Sequence, residues 1–189
     1  MLHDDSVLIQ MTVGGDRGAF GVLVRRHQDR LFNTVSRLLG NTEDAADVVQ
    51  DAFLNAFVSL GAFKGDAKFF TWLYRIAVNS AISMKRKQRF ALSVDSSGVA
   101  SSGPEPTDES ESSRPELALE RAEDIERIQS ALNRLTPEHR AVLVLKEIDG
   151  QKYEAIAEML QVPIGTIRSR LHRARLELRD RLAEDSAND

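Results

Sequence analysis

The residues best equipped for chemistry lie between Tyr153 and Arg175, in YEAIAEMLQVPIGTIRSRLHRAR. Arg168, Arg170, Arg173 and Arg175 are permanently charged forks that suit phosphate oxygens and guanine edges, and Ser169 and His172 are polar side chains that fit a groove. That chemistry is DNA contact, and it requires the side chains to share one exposed helical face. Tyr153, Ile156, Ala157 and Leu160 recur at i, i+3, i+4 and i+7, which predicts a short amphipathic helix. Pro163 fits the first turn of a second helix, where a missing N–H costs nothing. In that helix Ile164, Ile167, Leu171, Ala174 and Leu178 line one side. At 100° per residue Gly165, Ser169, His172 and Arg173 point away from it, flanked by Arg168, Arg170 and Arg175. The pattern is a helix-turn-helix whose second helix faces a groove.

A second constellation runs through FFTWLYRIAVN, Phe69 to Asn79, and on into Lys85-Arg86-Lys87. Aromatic rings beside cations are what single-stranded nucleic acid needs, rings for unstacked bases and charges for the backbone. Rings on a helix also make ordinary core, so the polar Asn79, Ser80 and Ser83 are the better candidates for touching a base. A third is acidic. Asp44, Asp47 and Asp51 share an i, i+3, i+7 face beside Glu43 and Gln50, with no basic residue from Asn41 to Ser59. Such a stripe could hold a divalent metal, provide a carboxylate pair, dock a basic partner or simply face solvent. His3, His27, His139 and His172 show no ligand spacing. No GxSxG, Walker loop or GxGxxG occurs, and no catalytic constellation or cofactor site is expected.

The 189-residue chain carries a net charge of −4, which argues poorly for nucleic acid until its distribution is read. From Phe63 to Arg89 the basic residues Lys64, Lys68, Arg75, Lys85, Arg86, Lys87 and Arg89 face only Asp66. From Phe90 to Asp124 the acids Asp95, Glu105, Asp108, Glu109, Glu111, Glu116, Glu120, Glu123 and Asp124 face only Arg114 and Arg121. The field relevant to binding is therefore local. The absence of cysteine excludes disulfides and thiolate metal sites. No apolar run approaches membrane-spanning length and no signal peptide opens the chain, so a soluble, cytoplasmic protein without membrane insertion is expected.

Helical periodicity dominates, and the expected class is all-α. Helices are predicted over about Asp5 to Val13, Arg17 to Leu39 with Gly40 as stop, and Asn41 or Thr42 to Leu60. Others follow over about Ala67 to Arg89 and Glu116 to Leu135, then from the Thr136-Pro137-Glu138 start to Asp149-Gly150. Between Ala91 and Pro115 the Ser, Gly, Pro and acidic composition has little to bury and predicts a flexible linker. Two helical domains, 1–90 and 116–183, are expected on either side of that linker (91–115), with a disordered tail at 184–189.

Taken together, EDAADVVQDAFLNAF from Glu43, FKG from Phe63, TWLYRIAVN from Thr71, LTPEHRAVL from Leu135 and VPIGTIRSRLHRAR from Val162 resemble an extracytoplasmic function (ECF) sigma factor of the sigma-70 family. The resemblance implies a dissociable promoter-specificity subunit of RNA polymerase, with region 2 in the first domain and region 4 in the second. By the same resemblance Asp44, Asp47, Gln50 and Asp51 would dock on the clamp helices of core polymerase. Asn79, Ser80, Ser83, Lys85 and Arg86 would act at the −10 element. Arg168, Ser169, His172 and Arg173, with Thr166, Arg170 and Arg175 around them, would act at the −35 element while region 4 binds the flap. The resemblance also admits an anti-sigma factor as partner. The rival readings are a stand-alone helix-turn-helix regulator of duplex DNA, which needs neither the Trp72 segment nor the acidic helix, and a metal-dependent nuclease built on Asp44, Asp47 and Asp51.

Overall fold

The computed structural model describes residues 4–94 and 115–186. Most of the expected linker, 95–114, lies outside the described residues, as does 187–189 of the expected tail, whose first residues, 184–186, are helical and not disordered. Among the described residues eight α-helices follow in order: α1 Asp5–Val13, α2 Arg17–Leu39, α3 Thr42–Ser59, α4 Phe69–Val94, α5 Pro115–Arg134, α6 Pro137–Leu143, α7 Tyr153–Leu160 and α8 Ile164–Ser186. A short 3₁₀ turn, Leu60–Ala62, follows α3, and a π turn, Val144–Ile148, extends α6. No strand occurs among the described residues.

Local chemistry sets most of the boundaries. Asp16 caps α2 by accepting from the Gly18 and Ala19 amides, Asn41 caps α3 through Glu43 and Asp44, and the Thr136 hydroxyl accepts from His139 N at 3.3 Å. Each such cap contributes about 1 kcal/mol. At the other end of α2, Gly40 adopts φ 70°, a left-handed stop that a side chain disfavours. A Cβ there would also collide with Asn133 of α5. Two boundaries differ from expectation. α4 continues past Arg89 to Val94, because Phe90, Ala91 and Leu92 contain no breaker. Pro163 immediately precedes α8 instead of sitting inside its first turn.

α2, α3 and α4 pack mutually around Leu23, Leu31, Val35, Val48, Ala52, Leu73, Ala77 and Val78. The C-terminal helices close around Leu132, Val142, Leu145, Ile156, Met159, Ile167 and Leu171. Each large aliphatic side chain so buried contributes roughly 1.5–3 kcal/mol. The two groups form one continuous apolar cluster. α6 and α7 lie directly against α4, and the π turn against α2. The two helical modules are therefore pressed together.

Candidate nucleic-acid interface

α7, the turn and α8 form the expected helix-turn-helix. The turn is made by Gln161, a non-glycine residue in left-handed conformation at φ 53°, and the Pro163 carbonyl accepts from the Thr166 and Ile167 amides to start α8. In α7 the inward positions are Ile156 and Met159, while Tyr153, Ala157 and Leu160 are half-buried. The expected stripe was thus rotated slightly from the true one, because Met159 reaches inward to α4. In α8 Ile167, Leu171 and Ala174 are buried, as the helical wheel requires.

Arg168, Ser169, His172 and Arg173 stand exposed side by side on the opposite face of α8. Ser169 Oγ donates to Thr166 O at 3.0 Å, which fixes its rotamer. Thr166 and Arg170 are half-buried. Arg175 is exposed but engaged, its Nε and Nη2 donating to Glu147 Oε1 at 3.1 and 2.6 Å. The Glu147 hydrogen bond holds the Arg175 guanidinium in its charged form. Four of the seven residues expected at a duplex thus form an open, cationic and polar surface to which no carboxylate of the described residues is bonded.

The corresponding positions on α4 are differently placed. Ser80 and Ser83 are exposed, but Asn79 is half-buried and its Nδ2 approaches Met159 O of α7 at 3.5 Å. Lys85 Nζ donates to Leu39 O at 2.7 Å, and burial, together with the nearby Arg140 charge, lowers its pKa. Arg86 donates to Glu138 Oε1 from Nε at 2.7 Å and also from Nη2. Burial, the largest single influence, would raise the Glu138 pKa, but the Arg86 hydrogen bond, its own backbone amide and the Arg86 and Arg170 charges together outweigh it and hold the carboxylate below its ordinary value. Of the neighbouring rings, Phe69 and Tyr74 are buried, and Trp72 rests against Phe63 and Phe69 with centroids 5.0 and 5.9 Å apart. Most of the aromatic set is core.

On α3, Asp47, Gln50 and Asp51 are exposed, and Asp44 is half-buried with Oδ2 accepting from Gln88 Nε2 at 3.0 Å. Among the described residues no group of three His, Asp or Glu side chains could hold a metal ion. Beside the stripe runs a feature the sequence reading missed. A groove of about 760 Å³ lies between α2 and α3, lined by Phe20, Val24, Phe32, Val49, Phe53, Leu54 and Phe57, with Gln50 at its rim. Leu54 and Val58 remain 56% and 84% exposed. The signal was present in AFLNAFV, whose apolar residues surround the helix more completely than one buried face requires.

Comparison with known proteins agrees with this geometry. Sigma-70 region 2 matches residues 23–91 and sigma-70 region 4 matches residues 125–178, so the two modules are those of a sigma factor. The ECF RNA polymerase sigma-E factor of Escherichia coli K12 is 38% identical over 90% of this chain and 90% of its own length. The RNA polymerase sigma-H factor of Pseudomonas aeruginosa is 35% identical over 92% and 91%, and the ECF sigma factor SigW of Bacillus subtilis 34% over 93% and 95%. Among solved structures, CnrH in complex with the cytosolic domain of CnrY superposes with a TM-score of 0.68 at 29% identity, covering 96% of this chain and 98% of that one. RpoE of Bartonella quintana, in complex with the anti-sigma factor NepR, gives 0.68 at 26% identity, covering 87% and 96%. The chain belongs to the sigma-70 family of RNA polymerase sigma factors, in its extracytoplasmic function group.

Proposed function

We infer that this chain binds core RNA polymerase and directs it to a class of promoters, contributing specificity and strand opening with no reaction of its own. Region 2 docks through the Asp44, Asp47, Gln50 and Asp51 face of α3, where the neighbouring apolar groove supplies the desolvated centre that a stable interface needs. The α4 residues Asn79, Ser80, Ser83, Lys85 and Arg86 engage the −10 element as it opens. Region 4 lays α8 in the major groove at the −35 element, with Arg168, Ser169, His172 and Arg173 over base edges and Thr166, Arg170 and Arg175 toward the backbone. The observation that carries this reading is that face of α8, exposed and bonded to no acid among the described residues, on the same chain as the region 2 module. Its setting is the cytoplasm, where promoters and polymerase are. The α2–α3 groove also fits an anti-sigma partner, a reading supported by the two similar structures, one with NepR and one with the cytosolic domain of CnrY.

Run-off transcription with purified core polymerase over a randomised promoter library tests the proposal. Enrichment of one two-part promoter sequence is expected. Duplex binding without any polymerase-dependent transcript would instead identify a stand-alone regulator.

A further inference from the structure

At the seam between the two modules lies a second cavity, of about 680 Å³. Its walls come from the α2–α3 junction, the end of α4, the α5–α6 junction and one side chain of α8. The charges around it are unequal. Lys85, Arg89, Arg134 and Arg181 line it against a single acid, Asp44, whose Oδ2 accepts from Gln88 Nε2 at 3.0 Å. Lys85 and Arg89 donate to main-chain carbonyls, Leu39 O at 2.7 Å and Leu135 O at 3.4 Å. Arg134 and Arg181 pair with Asp185 and Glu184 near the end of α8. Asp44 would raise the Lys85 pKa, but burial and the Arg140 charge prevail and lower it. The local balance is positive.

A fifth cation stands behind Gly40. Arg140 of α6 is 1% exposed. Its Nε donates to Arg37 O at 2.7 Å, an orphan carbonyl in the last turn of α2. Its Nη1 and Nη2 have no partner among the described residues. Nη2 is directed at Gly40 in the cavity wall, 3.1 Å from the point where a Cβ would stand, so no side chain of Gly40 separates it from the cavity. The exposed amide of Asn133 borders the same Cα and supplies a neutral donor. Burial pushes the Arg140 pKa down to about 10, which leaves it a cation at neutral pH. A buried guanidinium with two idle donors is costly. Its complement is an oxyanion, whose oxygens accept the parallel N–H bonds of the fork.

We propose that this cavity is a binding site for a small phosphorylated ligand, with its phosphates between Arg140 and the four lining cations and its organic group on Leu39, Ala91, Leu135 and Pro137. Five cations against one acid can neutralise several negative charges, which suits a phosphate chain better than a single carboxylate. The volume lies within the range of roughly 300–1,000 Å³ usual for small-molecule sites. A duplex is a poorer match, because it presents its phosphates on a convex surface and the Arg140 fork lies at the floor of a concavity. The inference does not depend on the promoter reading: of the residues assigned to DNA only Lys85 lines the cavity.

Calorimetric titration of the free full-length chain with pyrophosphate and with ADP at low salt tests the site, with adenosine as the uncharged control and backbone amide NMR shifts to place the ligand. One equivalent of each anion is expected to bind, ADP the tighter, with the largest shifts at Gly40 and Asn41 and no detectable binding of adenosine. Arg140→Met should weaken both anions by about tenfold or more, as loss of a charged hydrogen-bond donor does. Arg89→Gln, at an exposed position, should weaken them about three- to tenfold. If circular dichroism shows that Arg140→Met fails to fold, Arg89→Gln combined with Arg181→Gln decides. Several equivalents with shifts spread along Arg168 to Arg175 would mean an adventitious ion only, on the basic face of α8, and would overturn the site. So would affinities that the folded variants leave unchanged, or binding of a short DNA duplex with none of pyrophosphate or ADP.

Discussion

The two surfaces proposed to meet DNA are built from similar residues and treated in opposite ways. On α8 the side chains proposed to read the groove, Arg168, Ser169, His172 and Arg173, are exposed, and Arg175 at the edge pairs with Glu147. On α4 the residues assigned to the opened strand are partly occupied: Asn79 by Met159 O, Lys85 by Leu39 O and Arg86 by Glu138. A duplex groove is read by a rigid preformed helix, so α8 loses nothing by standing open. An unpaired strand needs a surface that no duplex should engage prematurely, and α4 is the surface covered. The difference between them is therefore one of availability more than of chemistry.

The largest expected effect comes from the third surface, which shares the open state of α8. Asp47 and Asp51 are exposed on α3 without a basic neighbour in sequence. Reversing both, Asp47→Arg with Asp51→Arg, should reduce core polymerase binding at least a hundredfold, since like charges facing each other cost several kcal/mol. Pull-down of core measures it, with circular dichroism confirming the helices. Undiminished capture would show that the groove beside the stripe, and not its charge, carries docking.

On α8, Arg173→Ala should cost ~1–3 kcal/mol at the preferred −35 sequence, roughly a five- to 150-fold loss, through a bidentate base contact. Binding to core should be unchanged. Transcription that stays uniform across −35 variants would place Arg173 on phosphate instead.

On α4, Asn79→Ala should act differently, reducing promoter opening several-fold while closed-complex formation changes little. Unstacking a base costs a few kcal/mol that a positioned amide helps to offset. Permanganate reactivity of −10 thymines reads it, and wild-type reactivity would reduce Asn79 to a seam residue held by Met159.

How much of this was legible depends on how far apart in the chain the interacting groups lie. Asn41, Gly40 and Thr136-Pro137 act on amides or carbonyls within four residues, and their roles could be read directly. The α8 wheel was legible for the same reason, because Ile167, Leu171 and Ala174 are buried against helices of its own module. Arg140 and Asp149 were not. Arg140 bonds to Arg37, 103 residues earlier, and Asp149 to Thr34, 115 residues earlier. A one-helix view shows each as an ordinary charged surface residue. Met159 was missed likewise, since its burial depends on α4 arriving from the other module. The α2–α3 groove was half-visible, as an excess of apolar residues on α3 without a statement of what they would line.

The smallest expected effect is a pH dependence, and it tests whether the covered state of α4 is tied to Asp149. In the closed arrangement burial raises the Asp149 carboxyl, opposed by the Thr34 hydrogen bond and by Arg30 and Arg37 of α2, with Tyr74 of α4 also facing the site. Once the modules separate, the carboxyl returns toward about 3.9. The closed form therefore binds this proton more tightly than the open form. The cost of burying the carboxylate is fully present at neutral pH and is relieved as pH falls through the raised value, so Asp149 alone tightens closure on acidification. Glu138 works in the opposite sense. Its pairing with Arg86 keeps its pKa lowered in the closed form, and that contribution is lost as pH falls. The net slope in the wild type should be shallow, and the informative quantity is the difference between wild type and Asp149→Asn. As pH falls from neutral the wild type should gain compactness relative to the variant, with donor and acceptor dyes on Asn55→Cys and Asp180→Cys of the free chain as the reporter. Parallel pH curves for the two proteins would mean that Asp149 stays solvated when the modules meet, and the packing over α4 would then owe nothing to its titration.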